Sequence, residues 1–129
     1  MRALKKKQVN FALTKLNDYN LVKDDTVSGK LKGYVSTFSG TLVIVGFIPG
    51  ILLYSKESDR NHERFKVFKI INDMVWNATG YPDNPPESKE LMRMIVELSL
   101  AEQNHLKKRY MDAASILKLS LRMYKFEQE

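Results

Sequence analysis

Residues 38–56 read FSGTLVIVGFIPGILLYSK, and the fourteen from Thr41 to Tyr54 carry no charge. A helix that crosses a bilayer needs about 20 predominantly apolar residues. This run is shorter and is interrupted by Gly46, Pro49 and Gly50. A β-hairpin with TLVIV and GILLY as its strands is the competing reading, since Val and Ile favour strands. The favoured reading is two buried helices meeting at Gly46 to Pro49. The first ends near Gly46, and the second opens with Pro49 in its first turn, where a missing N–H costs little. Both are apolar on most faces, which predicts that they form the centre of a helical bundle.

The rest of the chain favours helices because its apolar spacing is helical everywhere else. A first helix is predicted from Arg2 to Asp18, followed after a few residues by a polar loop, DDTVSG, at 24–29. The next starts near Lys30 and carries Leu31, Tyr34, Val35, Phe38 and Leu42 at steps of three and four. The helix from Pro49 runs to about Ser58. Another spans His62 to Asn77, with Phe65, Phe68, Ile70, Ile71, Met74 and Val75 as a wide apolar stripe, and ends at the breaker cluster ATGYPDNPP, 78–86. Asn84-Pro85-Pro86-Glu87 reads as a helix start with prolines in the first turn. Ser99-Leu100-Ala101-Glu102 is a capping box, so the apolar segment Leu91–Leu98 stops and a long helix runs from Leu100 to about Phe126. Six helices with short links define an all-α bundle of one domain, 1–129.

Composition narrows the function classes. The 129 residues hold no cysteine, which removes disulfides and thiolate metal sites and suits a cytoplasmic location. The start, MRALKKKQVNFAL, lacks a continuous apolar segment, so no cleaved signal is expected. His62 and His105 have no partner at metal-binding spacing, and no nucleophile elbow or phosphate-cradling loop occurs. Glu57, Asp59 and Glu63 are interleaved with Lys56, Arg60 and Arg64, the pattern of a solvated mixed-charge surface. No enzyme activity, cofactor or metal is expected.

Charge carries more. Lys plus Arg is 21 against 15 acids, a net +6, and Arg2, Lys5, Lys6, Lys7 and Lys15 fall in an acid-free opening segment. Such a balance favours an anionic partner. On the last helix, with Lys107 set to zero, Lys118 falls at about 20°, Arg122 at about 60° and Lys125 again near 0°, with Lys108 at about 100°. Leu106, Tyr110, Ala113, Leu117 and Leu121 occupy the other side. The row of cations is about 27 Å long, enough to follow several phosphates with binding that is salt-dependent and blind to sequence. A solvent-facing polar side is the alternative. Tyr110, Tyr124, Phe126 and Trp76 read as packing rather than base-stacking residues.

Three segments resemble the small helical subunit of the Cmr-type (type III-B) CRISPR RNA-silencing complex: QVNFALTKL near the start, VGFIPGILLYSKES in the middle, and ELSLAEQNHLKKRYMDAASILKLSLRMYKF at the end. The chain departs from the pattern at Ala114, Ile116, Met123 and Phe126, which leaves Lys125 to represent its basic ending. The resemblance implies a small all-α subunit without enzymatic activity that stacks along the ribonucleoprotein effector and serves antiviral defence. Its implied partners are guide and target RNA, the backbone and large subunits, and further copies of itself, with no membrane. It carries over Lys56 and Lys125 as RNA contacts. Together with the helical row, the candidate RNA-binding residues are Lys56, Lys107, Lys108, Lys118, Arg122 and Lys125. Exposed apolar positions such as Met111 or Met123 are expected at subunit contacts.

A DNA-binding regulator of helix-turn-helix type is the alternative. It needs a recognition helix that aims Arg, Asn or Gln at base edges. A peripheral membrane protein anchored by the first helix is a third reading, but Leu4, Val9, Phe11, Leu13 and Leu16 are scattered around that helix.

Overall fold

The computed structural model describes residues 3–56, 62–78, 85–86 and 88–127. Its helices are α1 (Ala3–Asp18), α2 (Gly29–Val45), α3 (Phe47–Tyr54), α4 (Glu63–Ala78), α5 (Ser88–Glu97) and α6 (Leu100–Leu121). Three two-residue strands accompany them: β1 (Val22–Lys23), β2 (Thr26–Val27) and β3 (Lys125–Phe126). The all-α expectation holds. α6 is the central post, with α1, α2 and α4 packed around it.

The decisive stretch forms two helices. Gly46 closes α2 and opens α3 with φ 97° and ψ 164°, a left-handed φ that glycine tolerates without strain. Pro49 is the third residue of α3, where the absent N–H is one that the first turn leaves unpaired anyway. The Tyr54 hydroxyl ties α3 back to α2. It donates to the Tyr34 carbonyl at 3.0 Å and lies 2.9 Å from Thr37 Oγ1. Gly50 brings the two helices close, because a Cβ built there meets Leu42 Cα at 3.2 Å.

The expected burial of this stretch needs correction. Leu42, Phe47, Ile51 and Tyr54 enter the core, whereas Val43, Ile44, Val45, Leu52 and Leu53 are exposed, Ile44 at 84%. Among the described residues, only one face of each helix has a neighbour to pack on. The outward face is therefore an apolar surface on this side of the molecule.

Local chemistry explains most other boundaries. The Ser28 hydroxyl caps α2 by accepting from the Lys30 N–H at 3.2 Å. His62 plays that part for α4, its Nδ1 accepting from the Arg64 N–H at 3.1 Å. Ser99 and Glu102 form the full capping box of α6, with bonds of 3.2 and 2.9 Å. Pro85 and Pro86 lie ahead of α5 rather than in its first turn. Pro86 is buried, and its carbonyl accepts from Asn72 Nδ2 at 2.9 Å. The third predicted helix ends at Tyr54, capped by Ser55, rather than near Ser58. The Glu57, Asp59 and Arg60 cluster, the capping residues Asn84 and Glu87, and Arg2 lie outside the described residues.

Two predictions are corrected together. The polar loop at 24–29 is the turn and second strand of a hairpin, β2 against β1, turning at Asp24 and Asp25 with φ 51° and 62°. The last helix stops at Leu121 instead of Phe126, and the chain enters β3, parallel to β2. Its final turn tightens through i→i−3 bonds from Arg122, Met123 and Tyr124. The backbone N–H groups of Lys125 and Glu127 then donate to Asp25 and Val27 at 3.0 Å each. Val22, Val27 and Phe126 share one register row and pack on the core.

Candidate nucleic-acid interface

α6 is buried along one side by Leu106, Tyr110, Ala113, Leu117 and Leu121, as its spacing predicts, and also by Ala114 and Ser120. These residues occupy roughly 120° of the helix circumference. Lys107, Lys118 and Arg122 flank that buried sector on one side, over about 22 Å of axis. Arg122 caps the helix with φ −65° and ψ −14°, so it continues the helical path. Lys107 is half-buried, while Lys108, Lys118 and Arg122 are exposed. Cations in the last turn also complement the negative end of the helix dipole.

Lys125 leaves this row, because β3 and not the helix presents it. In the strand register Lys23 faces Thr26, and Thr26 faces Lys125. These three side chains stand on the face opposite the Val22, Val27 and Phe126 row, placing Lys23 and Lys125 about 10 Å apart across two strand spacings. Lys56 follows α3 and is exposed, on an element separate from the α6 row. Thus Lys107, Lys118 and Arg122 are spread along one side of α6, Lys125 lies three residues past Arg122 on the sheet, and Lys56 is apart. Lys23 was missed by sequence reasoning. The signal was the alternation in LVKDDTV around two residues that tolerate positive φ.

None of the six candidate cations makes an ion pair with a described acid. Lys15 differs, with its Nζ 3.8 Å from Asp73 Oδ2 and 5.4 Å from the Phe11 ring centre. Tyr19 donates to the same carboxylate oxygen at 2.7 Å. Burial foremost, and then that bond to a carboxylate, push the Tyr19 hydroxyl well above the usual tyrosine range. Lys15 and Asp73 therefore belong to the join between α1 and α4, where a buried carboxylate needs its partners. Lys32 lies 5.7 Å from the Phe126 ring centre and helps hold β3.

The aromatics belong to the interior. The Tyr110 hydroxyl donates to Asn72 Oδ1 at 2.6 Å and accepts from Trp76 Nε1 at 3.1 Å. Trp76 Nε1 also lies 3.0 Å from Asn72 Oδ1, so every polar atom of this buried group has a partner. Burial raises the Tyr110 hydroxyl above its ordinary range. Among the described residues, no three His, Asp or Glu side chains gather as a metal site would need, and no helix is long and apolar enough to cross a membrane. Comparison with protein-family models, curated proteins and solved structures finds no match.

Proposed function

We propose that the protein is a non-catalytic small subunit of a type III-B CRISPR ribonucleoprotein effector, contacting RNA backbone through its cationic face. The observation that carries this reading is the row Lys107, Lys118 and Arg122, continued by Lys125 on the sheet, with no described acid paired to any of them. Unpaired, solvated cations spaced along a rigid helix neutralise successive phosphates and carry no base preference, so base pairing between guide and target supplies specificity. The exposed apolar face of Val43, Ile44, Val45, Leu52 and Leu53 suits assembly, as does Met123, 65% exposed.

The helix-turn-helix reading is weaker in one particular. Gln103, near the start of α6, would be placed to read base edges, but its amide nitrogen is 3.0 Å from the Ile95 carbonyl and 3.3 Å from that of Leu98. It holds the turn between α5 and α6.

The experiment is co-purification of the tagged full chain with its ribonucleoprotein particle. Replacing Lys118, Arg122 and Lys125 together with Ala is expected to preserve the helical circular-dichroism signal and reduce RNA retained at low salt. Absence of any RNA-containing particle from the wild-type preparation would contradict the assembly reading.

A further inference from the structure

The last turn of α4, the end of α5 with the turn after it, and the first turns of α6 border an open, shallow groove of about 460 Å³. Its floor is apolar, built from Trp76, Met94, Leu98 and Leu106. Glu102, His105 and Arg109 line one rim, on one side of α6 and turned at least about 100° away from the row of Lys107, Lys118 and Arg122. A volume of this size, an apolar floor and a few convergent polar groups are the usual features of a small-molecule site.

The rim is electrically divided. Glu102 is already engaged, since its carboxylate accepts from the Ser99 N–H at 2.9 Å and its position in the first turn of α6 favours the anion. Its negative charge would repel an anionic head at that end. Arg109 lies seven residues further on, about 10 Å along the axis. Arg109 and His105 are both exposed, and neither side chain makes a hydrogen bond or ion pair with a described residue. A guanidinium beside an apolar floor matches the forked geometry of a carboxylate.

We propose that this groove binds a small amphipathic carboxylate, with its alkyl body along Met94, Leu98 and Leu106 and its head group paired to Arg109 and His105. The site is independent of the RNA-contacting surface and would stand if that reading failed.

Trp76 is the single tryptophan of the chain and lines the groove, so its emission reports occupancy directly. The full-length protein is titrated with decanoate below its micellar concentration and, separately, with decan-1-ol below its solubility limit. Decanoate is expected to give a saturable change in Trp76 emission. Affinity should fall about tenfold for decan-1-ol and for Arg109→Ala, reflecting loss of a charge-assisted hydrogen bond. Arg109→Lys should be intermediate, and Lys118→Ala should match wild type. Circular dichroism on each variant verifies the fold, which an exposed substitution leaves intact. Absence of a saturable signal with decanoate, equal affinity for acid and alcohol, or insensitivity to Arg109→Ala would each overturn the proposal. Displacement of decanoate by a short single-stranded RNA would also overturn it, by assigning the groove to nucleic acid.

Discussion

Replacing Gly50 with Ala tests the packing that turns residues 38–56 into two helices. In an ordinary helix interior, Gly→Ala stabilises by about 0.5–1 kcal/mol. At Gly50 the new Cβ would lie 2.5 Å from Leu42 Cδ2 and 3.2 Å from Leu42 Cα. Leu42 is fully buried, so its methyl has no solvent to swing into. Forcing a methyl into a filled core costs roughly 1–3 kcal/mol, and the backbone contact places this site toward the upper part of that range. The net expectation is a loss of about 1–2 kcal/mol. Unfolding entropy scales to roughly 270 cal/mol/K for this length, so Tm should fall by about 4–8 °C. Gly40→Ala supplies the opposite case on α2. A Cβ there meets nothing within 4 Å, and a rise of about 2–4 °C is expected. Thermal unfolding followed by far-UV circular dichroism measures both, and Leu42→Ala added to Gly50→Ala should cost less than the sum of the two single changes. A Gly50→Ala variant as stable as Gly40→Ala would refute the close approach of α2 and α3.

Tyr110→Phe should cost about 0.5–1.5 kcal/mol in denaturant unfolding, because Asn72 and Trp76 each lose a buried partner but keep their bond to each other. Alkaline titration should lower stability above about pH 10. A tyrosine held above its unfolded value stabilises fully below that value and loses its contribution as pH rises through the folded one. Tyr19→Phe should make that decline shallower, read as Tm against pH. Ser99→Ala should cost about 1 kcal/mol by removing the hydroxyl that caps α6. It should flatten the acid limb only in part, because the Ser99 backbone N–H, the larger cause of the lowered Glu102 carboxyl, remains in the variant. The Glu102 carboxyl is held low by its bonds to Ser99, so its contribution is present above the unfolded carboxylate value and lost as pH falls below it.

The parts of the fold that were legible in the sequence are those set by local chemistry. Leu31, Val35, Phe38 and Leu42 marked the buried side of α2, and Ser99 with Glu102 marked the start of α6. The end of α6 was illegible because its apolar period runs on past Leu121. What stops the helix is a strand far away in sequence, whose Asp25 and Val27 carbonyls capture the N–H groups of Lys125 and Glu127. The exposure of Val43 to Val45 was hidden for a related reason. Hydropathy states that these side chains avoid water but not whether this chain supplies them a neighbour. At the candidate interface, spacing placed Lys107 and Lys118 on one side of α6, with Arg122 following as its cap. It misassigned Lys125 to that helix and missed Lys23, since only the register of β1, β2 and β3 relates those two.

The cationic face is tested most directly by the salt dependence of RNA binding. The full chain and its Lys118→Ala, Arg122→Ala, Lys125→Ala triple variant are titrated into labelled single-stranded RNA of mixed sequence by fluorescence anisotropy, at several low ionic strengths. Each phosphate neutralised on a single strand contributes about 0.7 to the slope of log K against log salt, so three lost contacts should make it shallower by about 2. Parallel lines for the two proteins would contradict the account.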